Sequence, residues 1–323
     1  MTRYILANFD CETEYAGTGG QPLPSHVKAL VDSMAARLSL LGGEHCQVVS
    51  GDAVNSLALN ADDSFLAWAE TESVTALRNS LPQNTSEEFS TNAEEGYSEH
   101  FKERLWATIG DAKAAKAAND KRWAAEFREA KGWSLPGSCQ IKTIEDLRQQ
   151  IQPFKPPAKW VVKAPFGTAG RERVRRIGSL LSTDIATRIE RLLTRHKTLL
   201  FEPWVDRIID FGTVGLITPS ETLFLPTHKQ IVDATGVCRA IETHWQGGRE
   251  AQLDQANRQI ADALRRSGYI GPFGIDGFAY RDERGRKRIL PLSEINARLT
   301  FGHVAYAKAE RTGSSTVFEL AAG

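Results

Sequence analysis

Polar and apolar side chains alternate near the carboxyl end of the chain, in the stretch ILPLSEINARLTFGH (289–303). A β-strand projects successive side chains to opposite faces, so Glu294, Asn296 and Arg298 would share one face of a strand. The residues between them are apolar and suit a buried core. A carboxylate, an amide and a guanidinium in one row predict a binding site for charged groups on a strand that otherwise faces the core.

A second carboxylate lies on the preceding segment, GPFGIDGFAY (271–280), which reads as a strand joined to the first by the charged hairpin RDERGRKR. Magnesium in proteins takes one or two carboxylates and completes its shell with water and substrate phosphates. Asp276, Glu294 and Asn296 therefore suit a magnesium–nucleotide complex better than an all-protein calcium site. A satisfied polar network, or an ion pair between Glu294 and Arg298, is the alternative interpretation of the same residues.

Lys163 ends the apolar run WVVK and precedes a glycine-rich turn, PFGTAG (165–170). Glycines allow backbone N–H groups to approach an anion closely, and a lysine supplies a compact positive charge for a phosphate. The turn has neither the Walker A spacing nor the GxGxxG pattern. The alternative is a hairpin that ends in a solvated basic patch (Arg171, Arg173, Arg175 and Arg176).

Glu202 lies between an apolar run, TLLF (198–201), and the segment PWV (203–205). A strand that leads into a hinge offers backbone donors and acceptors to the edge of an adenine base, with an aromatic ring nearby. Asp210, eight residues further along, is a candidate for hydrogen bonding to a ribose. Neither inference is specific by itself.

The elements that must position these residues follow from the apolar periodicity. A strand over 4–8, a helix starting at Ser25 and a strand over 46–50 predict a small α/β unit in roughly the first 80 residues. The polar, acidic stretch from Pro82 to Glu99 reads as a loop. Further helices are predicted over 112–130, from Thr143, over 182–196 and over 250–267, and further strands over 160–163, 198–205, 211–217, 221–227, 238–243, 271–280 and 289–299.

Composition excludes several classes of protein. The chain has 323 residues with 40 basic and 40 acidic side chains, a balance that argues against a nucleic-acid-binding protein. The four cysteines are far apart, which argues against a disulfide framework or a zinc site. No long apolar run and no secretory leader is visible, so a cytoplasmic location without membrane contact is expected.

Taken in order, these segments resemble the ATP-grasp superfamily, which includes D-alanine–D-alanine ligase and glutathione synthetase. The resemblance covers about 119–302. NDKRWAAEFREAKGWSLPGS resembles the first helix of the family's nucleotide-binding region, WVVKAPFGTAGRER its phosphate-binding strand and loop, and LLFEPWV its hinge. GPFGIDGFAY and LSEINARLTFG resemble the paired strands that end in the family's E-x-N-x-R magnesium motif. Ala297 replaces the proline often found in that motif, and the hairpin between the two strands is long.

The resemblance implies a role for each matched residue. The phosphates of ATP would be neutralised by two lysines (Lys121 and Lys163) and covered by the glycine-rich loop (Gly167, Thr168, Ala169 and Gly170). The adenine would contact Glu202, Trp204 and Val205, and the ribose would contact Asp210. Magnesium, or manganese as a substitute, would be held by Asp276, Glu294 and Asn296. Arg298, together with Lys163, would act on the transferred phosphoryl group as a catalytic residue.

The resemblance also implies an α/β (α+β) architecture in which two α+β subdomains grip ATP behind a small α/β pre-ATP-grasp domain. The expected boundaries are 1–110, 111–202 and 203–323. The implied activity is an ATP-dependent carboxylate–amine ligase that forms an amide through an acyl-phosphate and releases ADP and phosphate. Its partners would be a small carboxylate and a small amine, one of them an amino acid or an amino-acid-containing metabolite, and the family's frequent dimers suggest a homodimer.

Other classes remain open at this point. A small-molecule kinase on the same scaffold would leave the phosphoryl group on a hydroxyl, and a regulator would bind Mg-ATP without turnover. A dinucleotide-dependent oxidoreductase is disfavoured, because no glycine fingerprint follows the first strand.

The sequence gives fewer indications of which residues bind the second substrate than of which residues bind ATP. NFDCETEYAG would place Asn8, Asp10 and Glu12 on one face after the first strand, where α/β domains commonly bind ligands. A solvated loop is the alternative interpretation of the same residues. The remaining candidates for a substrate carboxylate are cationic or imidazole side chains (Lys229, Arg239, Arg171 and His303).

Overall fold

The computed structural model describes residues 2–18, 25–42, 46–50, 60, 63–80, 97–167, 172–234, 236–248 and 251–320. The predicted loop from Pro82 to Glu99 falls largely outside these residues, and its last three residues belong to a helix. None of the described helices is long and apolar enough to cross a membrane.

The amino-terminal region forms a parallel sheet with the strand order β2-β1-β3. Its strands are β1 (Arg3–Ala7), β2 (Cys46–Ser50) and β3 (Ser64–Ala67). Its helices are α1 (Cys11–Tyr15), α2 (Ser25–Ala36), α3 (Ser39–Gly42), α4 (Glu72–Asn79) and α5 (Tyr97–Ala107). The predicted strand–helix–strand order is confirmed, since parallel neighbours need such a crossover.

Two helices then lead into the second sheet, where the sequence had predicted one helix over 112–130. That prediction is wrong in one respect, because Asp120 has extended backbone angles (φ −66°, ψ 116°) and separates α6 (Ala112–Asn119) from α7 (Lys121–Ala130). The Asp120 carboxylate accepts a hydrogen bond from the backbone N–H of Arg122 and so caps α7. Lys121 therefore begins a helix instead of lying within one.

The second sheet is antiparallel, with the strand order β4-β7-β5-β6. Its strands are β4 (Cys139–Ile141), β5 (Lys159–Lys163), β6 (Arg173–Ile177) and β7 (Leu199–Trp204). Two amphipathic helices, α8 (Ile144–Ile151) and α9 (Thr183–His196), pack on it. Trp160 and Phe201, each at most 1% exposed, lie at the centre of the resulting core.

The third sheet is antiparallel and larger, with the strand order β13-β12-β8-β10-β11-β14 and β9 paired to β8. Its strands are β8 (Asp206–Ile217), β9 (Thr222–Phe224), β10 (His228–Val232), β11 (Cys238–Glu242), β12 (Gly271–Arg281), β13 (Lys287–Asn296) and β14 (Val317–Glu319). Helices α10 (Ala251–Arg266) and α11 (Phe301–Thr312) belong to the same region. The sequence analysis did not identify β10, α11 or β14.

The alternation that motivated the site prediction is confirmed in β13 and the residues after it. Ile295, Ala297 and Leu299 are at most 3% exposed and belong to the largest hydrophobic core. That core also contains residues of the amino-terminal sheet, such as Ile5 and Leu66. The first and third sheets therefore share one core, and the polar face of β13 points away from it.

Candidate functional site

A cavity of about 460 Å³ is lined by strands of the second and third sheets and by residues of the amino-terminal region that follow β1 and β3 or lie on α1 and α2. It contains most of the side chains singled out in the sequence (Lys121, Lys163, Gly167, Trp204, Asp210, Asp276, Glu294, Asn296 and Arg298). Glu202 and Val205 are not among its lining residues. Thr168, Ala169, Gly170 and Arg171 lie outside the described residues.

The candidate metal ligands lie on paired strands. Asp276 of β12 is directly opposite Glu294 of β13, and Asn296 is opposite Gly274. The Asp276 carboxylate accepts hydrogen bonds from Gln230 Nε2 at 2.6 Å and from Asn296 Nδ2 at 2.9 Å. Burial, and then the nearby carboxylate of Glu294, raise the pKa of Asp276 to about 6. Two acidic groups held this close favour a bound cation.

This donor set fits a divalent cation that also binds phosphate. In the described part of the chain, no group of three or more His, Cys, Asp or Glu side chains comes together as a metal site. Two carboxylates and one amide leave coordination positions for phosphate oxygens and water, as Mg2+ prefers. Asp276, Glu294 and Asn296 would hold that ion.

Next to these ligands, cationic groups converge on Glu12 of α1. Its carboxylate accepts hydrogen bonds from Arg298 at 3.1 Å and from the backbone N–H of Gly167 at 2.6 Å, and it lies 3.7 Å from Lys121 Nζ. Burial opposes ionisation of Glu12, but Lys121 and Arg298 lower its pKa to about 2. Lys121 also pairs with Glu294 at 3.2 Å. The glycine-rich turn, α7 and the amino-terminal sheet thus meet at one anionic side chain.

Lys163 is held by a buried ion cluster behind the cavity. Its Nζ donates to Glu202 at 2.6 Å, and the second carboxylate oxygen of Glu202 accepts from Arg128. Burial opposes ionisation of Glu202, but Lys163 and Arg128 lower its pKa to about 2. Both oxygens of Glu202 are engaged by these side chains, so the adenine contact assigned to Glu202 stays a prediction.

The hinge between the second and third sheets contains an aromatic ring surrounded by arginines. The guanidinium groups of Arg173, Arg175 and Arg207 lie 6.0, 4.6 and 5.0 Å from the ring centroid of Trp204. Arg207 also donates to Asp210 at 2.6 Å. Asp210 and Trp204 therefore face the cavity together, whereas Val205 packs in a small core with Leu135, Phe278 and Leu290.

The predicted row of Asn8, Asp10 and Glu12 is wrong as a row, because the chain turns into α1 at Cys11 and strand alternation ends. The Asn8 side chain is bound to the backbone of Ala69 through both its amide nitrogen and its oxygen. Asp10 is exposed, and Glu12 alone of the three lines the cavity.

The other residues predicted to bind a substrate carboxylate also differ in whether they line the cavity. Arg239 lines the cavity and pairs with Asp233 at 2.7 Å, while Lys229 pairs with Glu242 and does not line it. His303 points the other way, with Nε2 3.2 Å from the Gly215 carbonyl oxygen.

Two candidate functional residues, Arg128 and His228, were not identified from the sequence. Arg128 is 3% exposed and ties α7 to β13 by donating to the carbonyl oxygen of Ser293 at 2.7 Å. Its spacing of two helical turns from Lys121 places both on one face of α7, a signal that the sequence did contain. His228 of β10 is 2% exposed and lines the cavity, and its Nδ1 has no hydrogen-bond partner among the described residues. Burial, and then His303, lower the pKa of His228 to about 3, so its imidazole is neutral.

No protein-family model matches this chain, and no curated protein sequence matches it. Solved structures do match. D-alanyl-alanine synthetase A from Vibrio cholerae O1 has a TM-score of 0.52 at 13% identity, covering 92% of this chain and 88% of that one. N5-carboxyaminoimidazole synthetase from Staphylococcus aureus, complexed with ADP, has a TM-score of 0.51 at 13% identity, covering 99% and 80%. N5-carboxyaminoimidazole ribonucleotide synthetase from Thermus thermophilus has a TM-score of 0.51 at 16% identity, covering 93% and 72%.

Identities this low carry the comparison no further than the fold, and at that level the resemblance seen in the sequence is confirmed. The match to the Staphylococcus aureus synthetase covers 99% of this chain, so it takes in the parallel sheet and both antiparallel sheets. The chain has the ATP-grasp fold.

Proposed function

We propose that this protein is an ATP-dependent carboxylate–amine ligase that forms an amide through an acyl-phosphate and releases ADP and phosphate. The observation that carries the proposal is the convergence of Asp276, Glu294 and Asn296 with Lys121 and Arg298 in one cavity. Such a set neutralises the negative charge of the transferred phosphoryl group. Phosphoryl transfer needs mainly positioning and charge stabilisation from the protein and little covalent chemistry. The ATP-grasp fold and its occurrence in two kinds of synthetase support the same class.

In this proposal the chain's own residues bind and orient the reactants. Lys121 and Lys163 hold the phosphates of ATP, and the turn at Gly167 covers them. Trp204 and Asp210, which both line the cavity, would contact the base and the ribose. Mg2+ at the carboxylate pair would supply charge neutralisation on the β- and γ-phosphates.

The proposed reaction has two steps. A carboxylate oxygen of the first substrate attacks the γ-phosphorus, and the bond to the bridging oxygen of ADP breaks. Arg298, buried beside Asn296 and donating to its side-chain oxygen at 2.8 Å, faces the acyl-phosphate that forms. The amine nitrogen then attacks the acyl carbon, phosphate leaves, and the nitrogen loses a proton. Closure of the site against water would protect the acyl-phosphate from hydrolysis.

The experiment that tests the proposal measures ADP and phosphate separately, with Mg-ATP and pooled amino acids and small amines. The Lys163→Ala variant serves as the blank, because it removes a phosphate-binding charge. Equal amounts of ADP and phosphate that require two co-substrates are expected, and deconvolution of the pools then identifies them.

Other outcomes contradict the proposal in distinct ways. ADP formed without free phosphate would indicate a kinase. Binding of Mg-ATP without turnover in every pool would indicate a regulator. Turnover that is equal in the wild type and in Lys163→Ala would show that the site has been assigned to the wrong residues.

A further inference from the structure

The cavity that holds the proposed catalytic residues also has an apolar wall, none of whose residues is among the proposed nucleotide contacts. The wall is formed by aromatic and aliphatic side chains from the residues just after β1 and β3, from α2, from β11, from the start of α11 and from the residue after β14 (Phe9, Val31, Met34, Trp68, Ile241, Phe301 and Leu320). We refer to these seven residues as the apolar wall.

Its aromatic part is a compact cluster. The ring centroids of Phe9 and Trp68 are 4.7 Å apart in an edge-on arrangement, and those of Trp68 and Phe301 are 5.2 Å apart. Phe9 and Phe301 are 5.9 Å apart. Edge-on and tilted pairs at these distances are favourable, so the rings hold one another in place before any ligand binds.

This cluster borders the reacting centre. The guanidinium carbon of Arg298 lies 5.7 Å from the ring centroid of Trp68. The same guanidinium group donates to Glu12 and to Asn296. A group bound against the apolar wall would therefore be next to the position at which the acyl-phosphate is proposed to form.

The wall is not simply part of the closed core. Phe9, Met34 and Phe301 are each only partly buried and face the cavity. Val31 and Met34 are three residues apart on α2, so they present one face of that helix. Apolar surface that faces a cavity gains free energy when an apolar group covers it.

Polar groups near the wall do not change this character. His228 is neutral, because burial lowers its pKa to about 3. Arg239 lies on the same strand face as Ile241, but its side chain is 57% exposed and paired with Asp233. The buried guanidinium group of Arg298, beside Trp68, is already paired with Glu12. A charged substrate side chain would therefore find no unpaired buried charge among His228, Arg239 and Arg298.

We propose that one of the two substrates carries a large apolar or aromatic side chain that packs against the apolar wall. This inference rests on the proposed ligase function and names the class of its substrate. The sites for ATP and for the metal ion are unaffected by it.

The test compares substrates that differ only in their side chain: glycine, alanine, aspartate, leucine and phenylalanine, each supplied as carboxylate donor and as amine acceptor. In the wild type, kcat/KM for leucine or phenylalanine in the preferred position should exceed that for glycine by about 10- to 100-fold. Met34→Glu should lower the ratio of kcat/KM for leucine or phenylalanine to that for glycine by at least about tenfold, while the KM for ATP stays unchanged.

Leu180→Glu is the matched control, because Leu180 is 89% exposed and outside the cavity. It should leave the preference intact. Phe301→Ala is a second variant within the wall and should lower kcat/KM for phenylalanine more than for glycine. Calorimetry can also measure the affinity of each amino acid for the protein in the presence of Mg2+ and a non-hydrolysable ATP analogue. These affinities should give the same ranking without turnover.

The outcomes separate this inference from the function on which it rests. Turnover with glycine or aspartate as efficient as with leucine and phenylalanine, unchanged in Met34→Glu, would overturn the apolar substrate class and leave the ligase proposal standing. Formation of ADP without free phosphate would overturn the ligase proposal itself.

Discussion

The side chains of Glu294 and Asn296 are two residues apart on β13 and project beside Asp276 of the neighbouring strand. Both side chains carry oxygen donors on a strand whose other face packs in the core. A rigid sheet fixes the distance between such donors better than a loop does. Removal of one oxygen donor should therefore affect turnover far more than stability.

We expect Glu294→Gln and Asn296→Ala each to lower kcat by about 10²-fold or more, because each removes a group that stabilises transferred charge. Initial rates of ADP release measure the effect, and circular dichroism confirms that the variants are folded. Glu283→Gln, on the exposed hairpin between β12 and β13, is the control and should keep the wild-type rate. Wild-type rates in both site variants would show that the metal ligands are other residues.

The buried cluster around Glu202 makes a second prediction, on stability. Glu202→Gln leaves Lys163 and Arg128 without a buried counter-charge, and loss of one partner from such a cluster destabilises by about 3–5 kcal/mol. The pKa of Glu202 is lowered from 4.5 to about 2, so its stabilising contribution is complete above about pH 4.5 and disappears as the pH falls toward 2. Urea unfolding of wild type and variant should therefore differ most near neutral pH and converge in acid.

Glu145→Gln is the control for this prediction. Glu145 also pairs with an arginine, Arg148, but both side chains are more than half exposed. Its removal should change the free energy of unfolding by no more than about 1 kcal/mol. Parallel pH profiles for wild type and Glu202→Gln would contradict the assigned ion cluster.

At the scale of elements, the break between α6 and α7 decides where Lys121 lies. Asp120 caps α7, and the backbone turn at that residue lets the side chain of Lys121 reach Glu294 and the carbonyl oxygen of Gly167 at 3.2 Å. A continuous helix over 112–130 would have rotated Lys121 to another position. The single extended residue thus links local capping to the position of Lys121, a proposed phosphate ligand.

Asp120→Ala should lower the free energy of unfolding by about 1 kcal/mol through loss of the cap. It should also raise the KM for ATP, because the start of α7 is no longer held. Thr143→Ala removes the capping box of α8, which lies away from the cavity, and provides a matched control. An equal stability loss with an unchanged KM is expected there. If Asp120→Ala leaves the KM for ATP unchanged, Lys121 does not depend on this cap.

At the scale of the whole molecule, the cavity lies between the amino-terminal region and the two antiparallel sheets. Glu12 of α1 connects the first of these regions to the other two through Arg298 and Gly167. A ligand bound there would contact all three regions at once. Because it binds the folded state, it must raise the apparent stability of the entire chain.

Mg-ATP at about 100 times its Kd should add about 2.7 kcal/mol to the free energy of unfolding and raise the Tm by several degrees. Differential scanning calorimetry measures the shift, with ATP plus EDTA as the comparison without metal. The shift should be smaller in Asp276→Asn, since that variant loses a proposed metal ligand. A shift that is equal with and without EDTA would contradict a metal-dependent nucleotide site.

Several elements could be predicted because their signals are local. The strand at 46–50 matches its predicted bounds, and Thr143 caps α8 as its residue type and position predicted. β10 and α11 were missed because their burial arises from long-range packing and not from periodicity. His228, for example, is 2% exposed although it lies on a strand with little alternation.

The sequence by itself determined the carboxylate–amide–guanidinium row, the apolar residues that alternate with it, and the order of segments that resembles the ATP-grasp superfamily. These features could be predicted because strand alternation and glycine turns depend on residues that are close together in the sequence. Only the tertiary structure decided that Glu12 enters the cavity, that Arg128 joins Glu202, and that Phe9, Trp68 and Phe301 form one wall. These residues are far apart along the chain, and their contacts depend on how three sheets pack, which local propensity does not encode.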